Sequence, residues 1–126
     1  MKLFDKLFRK ARKINTRPMP PWETIVEMMH DEHLHMLADE IVQVIYSKDG
    51  AMRYVILKNE KGLLKCELQA VYPLDEDEWK YFCTDEHALP GLWLPFGARN
   101  GASYFESMEE LWKEVKAEPE YRQYFA

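Results

Sequence analysis

The densest set of donor side chains in the chain is His30-Asp31-Glu32-His33-Leu34-His35. Zinc takes histidine nitrogens and carboxylate oxygens, most simply from two histidines at i and i+4 on one helix face. Here the histidines stand at i, i+3 and i+5. On a helix His30 and His33 lie about 60° apart, while His35 points about 140° away from His30. Three ligands from this stretch require a broken helix. The plainer expectation is one buried histidine and two solvated ones beside acids, so no metal ligand is assigned. A metal-dependent enzyme around His30 and His33 ranks third among the functional readings. The acids Asp75, Glu76, Asp77 and Glu78 lack the Asp-x-Asp-x-Asp-Gly order of a calcium loop, and consecutive helical positions splay their carboxylates. They read as a solvated helix start. Cys83 and His87 are close in sequence, but a catalytic dyad is a spatial arrangement. No nucleophile elbow, phosphate-binding glycine loop or dinucleotide fingerprint is present. Neither a catalytic residue nor a cofactor is assigned, and the chain reads as non-catalytic.

Residues 84–104 carry a different kind of chemistry. His87, Trp93, Phe96, Arg99, Asn100 and Tyr104 fall in a stretch punctuated by Pro90-Gly91, Pro95, Gly97 and Asn100-Gly101. Trp, Tyr and Arg dominate binding energy at protein interfaces, and loops present such residues without covering them. The segment therefore reads as a long loop that recognises a protein partner, with a brief strand at Leu92-Trp93-Leu94. Taken singly, Trp93 and Phe96 read better as plugs at the end of the core and Arg99 as the partner of a surface acid; the recognition reading belongs to the loop as a unit.

The element that must position these residues is a run of three strands, 41–47, 52–57 and 63–72. Ser47-Lys48-Asp49-Gly50 and Asn59-Glu60-Lys61-Gly62 between them carry hairpin chemistry. In the third strand Leu64, Cys66, Leu68 and Ala70 alternate with Lys65, Glu67 and Gln69, which predicts one buried face and one at least partly wet. Helices must cover the apolar side. One is expected over 22–40, with Trp22, Ile25, Val26, Met29, His33, Met36 and Leu37 on a broad face. Another is expected over 108–117, opened by the capping-box pair Ser107 and Glu110. Asp75 and Glu78 form a similar pair at the start of a short helix whose inward residues are Trp79, Phe82 and Cys83. Ser103-Tyr104-Phe105 is a short strand candidate, and Tyr121, Tyr124 and Phe125 form a terminal aromatic cluster that docks on the body.

Residues 2–14 read as a basic amphipathic helix, with Leu3, Phe4, Leu7, Phe8, Ala11 and Ile14 as its stripe. Its stripe packs on the body or, in a rival reading, anchors the chain at an anionic membrane surface. Pro18, Pro20 and Pro21 then impose an extended spacer. The formal charge of −5 divides into +6 over residues 1–17 and −11 over the remainder. Such a body repels nucleic acid, whose affinity for proteins comes mostly from phosphate neutralisation. Two cysteines do not make a secreted framework, and no apolar run approaches a membrane span, so a reducing, cytoplasmic setting is expected. The resulting reading is an α+β fold. Residues 1–17 hold the amphipathic helix and linker start. Residues 18–126 form one domain, an antiparallel meander of three to five strands in the order ααβββαββα, covered mainly on one face. Its expected function is a small cytoplasmic protein-binding domain that works through residues 84–104.

Overall fold

Strand β2 (Met52–Lys58) is the centre of the molecule, because Met52 through Leu57 are all buried. A strand buried on both faces reads as a continuous apolar run, and Met-Arg-Tyr-Val-Ile-Leu departs from that only at Arg53. In the computed structural model, residues 15–82, 89–100 and 103–126 are described. The helix expected at 2–14, together with Cys83 and His87, lies outside the described residues. β2 pairs antiparallel with β1 (Glu40–Tyr46) and β3 (Leu64–Pro73), and β3 pairs antiparallel with β4 (Gly91–Asn100). The sheet order is β1-β2-β3-β4, so the strands meander and β1 and β4 are the edges.

The hairpin turns close as their sequences predict. Gly50 and Gly62 take φ of 78° and 81°, the left-handed region that glycine enters without a Cβ clash. Their N–H groups donate to the carbonyls of Ser47 and Asn59, at 2.9 and 3.0 Å. Asp49 Oδ1 accepts from the Ser47 hydroxyl and the Ala51 N–H, and these bonds hold its carboxyl below the usual carboxylate range.

Two cores lie on opposite faces of the sheet. Met52, Tyr54, Ile56, Cys66 and Leu68 face one side, where helix α3 (Met108–Lys116) adds Leu111 and Val115. Tyr121, Tyr124 and Phe125 pack against the same cluster, with the Phe125 ring 4.6 Å from that of Tyr54. The other side holds Val71 and Trp93, covered by Ile25 and Met29 of helix α1 (Trp22–Met29). Both faces are thus roofed, which corrects the expectation that the two helices share one face. The reason lies further along β3, where Gln69 and Val71, on the face opposite Cys66 and Leu68, are buried as well.

The Asp75/Glu78 capping box forms in both directions, while Ser107 caps its helix through one bond. Asp75 Oδ1 accepts from the Glu78 N–H at 2.8 Å, and Glu78 Oε1 accepts from the Asp75 N–H at 3.1 Å, opening helix α2 (Glu76–Phe82). Ser107 Oγ accepts from the Glu110 N–H at 3.2 Å. The chain before α1 is strapped to α2: buried Asn15 donates its N–H to the Lys80 carbonyl, and Trp79 Nε1 donates to the Arg17 carbonyl.

Two boundaries differ from the sequence expectation. The helix expected over 22–40 ends at Met29, followed by a turn, a short 3₁₀ segment at Leu34–Met36 and the start of β1 at Glu40. Asp31 and His33 adopt φ of 61° and 64°, which no helix accommodates. The second difference is β4, which occupies ten residues of the stretch read as a loop. Pro95 and Gly97 disguise it. Proline is tolerated on an edge strand, and Gly97, at φ 72°, sits where the register slips between the Gln69–Pro95 and Glu67–Asn100 pairs. Among the described residues, no helix is long and apolar enough to cross a membrane.

Candidate functional site

Among the expected site residues, Trp93, Phe96 and Tyr104 have described side chains. Trp93 points into the α1-side core and is buried. Phe96 is exposed on β4. Arg99 and Asn100 end that strand, where the Asn100 backbone pairs with Glu67. Tyr104 is exposed and lines an open cleft of about 460 Å3 with Asp39, Asn59, Glu60, Lys61 and Leu63. Of the three whose side chains are described, Trp93 belongs to the core while Phe96 and Tyr104 are exposed. His87 lies outside the described residues.

What the fold does assemble is an apolar surface on β3 and β4. Tyr72 lies across from Leu92, and Ala70 across from Leu94, so Tyr72, Leu92 and Leu94 share the face that Leu68 and Cys66 occupy further along β3. The α3 side chains and the terminal aromatics cover the β2–β3 part of that face. At the β4 edge Tyr72 remains 50% exposed, Leu92 41% and Leu94 43%, with Phe96 beyond them at 39%. Sequence reasoning found Phe96 here but missed Tyr72, Leu92 and Leu94. The signal was the pairing of two strands, and one of those strands was hidden by its proline.

The opposite face holds a polar cluster that sequence reasoning also missed. Arg53 is fully buried. Its Nε donates to Gln69 Oε1 at 2.8 Å, and Nη2 donates to the Glu32 carbonyl at 2.9 Å. Its guanidinium carbon stands 4.0 Å from the centre of the Trp93 ring, a cation–π stack. Trp93 Nε1 in turn donates to the Met29 carbonyl at 2.7 Å. Beside this lies Tyr46, whose hydroxyl donates to Asp31 Oδ1 at 2.6 Å and accepts from the Asp31 N–H at 2.9 Å. His30 stacks on the Tyr46 ring at 4.2 Å, with Nε2 3.6 Å from Asp31 Oδ2. Burial draws the Arg53 guanidinium below its ordinary range, and Tyr46 and Asp31 partly restore it. Burial and the Asp31 hydrogen bond push the Tyr46 phenol upward.

The histidine stretch is thus a turn over Arg53. Among the described residues, no group of three or more His, Cys, Asp or Glu side chains is placed to hold a metal ion. A second open cleft, about 540 Å3, lies between residues 15–19 and α2 and is lined by Arg17, Glu76, Trp79 and Lys80. No family model, curated protein or solved structure matches the chain.

Proposed function

We propose that the chain is a non-catalytic protein-binding domain whose recognition surface is the β3–β4 patch of Tyr72, Leu92, Leu94 and Phe96. The observation that carries this reading is the exposure of four large apolar side chains along one edge of the sheet. Single exposed apolar residues are ordinary, but a contiguous group marks a contact surface. Burying one such leucine stabilises a complex by about 1.5–3 kcal/mol before the costs of association. Docking is through side chains and not by addition of a strand. Pro95 removes a backbone donor from β4, and the slipped register near Gly97 interrupts the ladder, both of which blunt an edge. The charge of −11 over residues 18–126 favours a partner whose apolar ridge is flanked by Lys or Arg.

The test is photo-cross-linking in cells from a reactive side chain placed at position 94, with position 36 as control. Met36 is also exposed but lies on the segment before β1. Cross-linking of one protein from 94 and not from 36, lost when Leu92 becomes serine, is expected. Equal products from both positions would contradict the reading.

A further inference from the structure

The buried Arg53 makes no close ion pair, and Asp31 acts on it only at longer range. Its Nη1 is enclosed and has no hydrogen-bond partner. Among the described residues, no carboxylate lies within ion-pair distance of its guanidinium, since the ion pairs there join His30, Lys65 and their own acids. Arginine keeps its charge throughout the physiological range, so unlike a buried lysine it cannot relieve this cost by losing a proton. Nη1 thus carries two N–H groups with no acceptor in a desolvated site, and a carboxylate oxygen is a strong acceptor for either of them.

The surroundings favour that ligand. A carboxylate already belongs to this cluster: Asp31 accepts from the Tyr46 hydroxyl, on the solvent side. The turn at residues 30–33 meets Arg53 through the Glu32 carbonyl, and in it His30 and Asp31 are well exposed and two non-glycine residues sit in the left-handed region. Backbone strain of this kind gathers at sites that open or clamp. Against the body the turn is held by the Arg53 bond to the Glu32 carbonyl, the Asp31–Tyr46 pair and the His30 stack.

We infer that Arg53 and Tyr46 form a receptor for one carboxylate group, with the turn at residues 30–33 as its cover and Asp31 as the resident competitor. The incoming carboxylate takes Arg53 Nη1 through one oxygen and the Tyr46 hydroxyl through the other, and Asp31 swings out to solvent. This site faces away from the β3–β4 patch and does not depend on the function proposed for it.

The experiment follows the side-chain guanidinium resonances of Arg53 by NMR in the full chain. The probes are acetate, and acetyl-triglycine with a free or an amidated carboxyl terminus, all at constant ionic strength with acetamide as control. A saturable shift of the Arg53 signals with acetate and the free peptide is expected, and none with acetamide or the amidated peptide. A response to the peptide alone also supports the receptor and identifies a chain terminus as the source of the carboxylate. Asp31→Asn should tighten binding several-fold by removing the competitor, and Tyr46→Phe should weaken it at least as much. No shift with any carboxylate, in the wild type and in Asp31→Asn alike, would overturn the proposal and leave Arg53 as a brace for the turn.

Discussion

At the scale of single residues, the polar side chains decide more than their number suggests. Gln69 alternates with Leu68 and so reads as solvent-facing, yet it is buried and accepts from Arg53 Nε while donating to Glu67 Oε2. Replacing it with alanine strands a charged donor inside the sheet. Loss of a hydrogen bond to a charged group costs about 1.5–3 kcal/mol, so Gln69→Ala should lower Tm by several degrees in a thermal melt. An unchanged Tm would show that the amide does not hold the guanidinium. Asp49 allows a pH prediction. Its folded-state pKa is lowered by bonds from Ala51 N–H and the Ser47 hydroxyl. The stabilisation is therefore complete above the ordinary aspartate range, about 3.9, and is lost as pH falls through the lower folded value. Asp49→Asn cannot titrate, so the stability gap between wild type and variant, measured by denaturant melts, should be present at neutral pH and close below that range. A gap that is constant with pH would contradict the assignment. What the sequence concealed at this scale was Arg53. Arginine in a strand reads as solvent-facing, and only the register to Gln69 and the α1 roof reveal it as buried.

At the scale of elements, most of the fold was legible because its local signals agree with one another. Gly50 and Gly62 fix two turns, Leu64, Cys66 and Leu68 fix the register of β3, and Asp75/Glu78 and Ser107/Glu110 fix two helix starts. The failures have physical causes. The apolar spacing of Ile25, Met29, His33 and Met36 continues past the end of α1, so periodicity alone could not report the break. That break rests on tertiary bonds, from Arg53 to the Glu32 carbonyl and from Asp31 to Tyr46. Similarly, β4 is a strand because β3 offers it an edge, against the local preference of Pro95 and Gly97. The left-handed backbone at His33 leads to a further prediction. Left-handed backbone costs a non-glycine residue roughly 1–2 kcal/mol, partly offset by the greater freedom glycine has when unfolded. His33→Gly should therefore raise the unfolding free energy by up to about 1 kcal/mol. A clear loss of stability would mean that the His33 side chain holds the turn by contacts of its own.

At the scale of the whole molecule, a four-stranded sheet with helices on both faces uses most of its apolar residues internally. Tyr54, Phe125, Leu111 and Val115 close one side, and Ile25, Met29, Val71 and Trp93 the other. Among the described residues the exposed apolar side chains are therefore informative, and Leu92, Leu94 and Phe96 of β4 lie among them beside Tyr72. Sequence reasoning read residues 84–104 as a loop with a brief strand at Leu92–Leu94, where the described residues Gly91–Asn100 form an edge strand. The central claim is that the β4 edge binds a protein through side chains the fold does not need. The most direct measurement takes the protein cross-linked from position 94, purifies it, and determines its Kd for the wild type and for the Leu92→Ser/Leu94→Ser double variant, with a thermal melt of each. Two truncated anchors at the centre of an interface should weaken binding at least about ten-fold, with Tm little changed because both side chains are already largely exposed. Equal Kd values for the two proteins, with both folded, would contradict the claim.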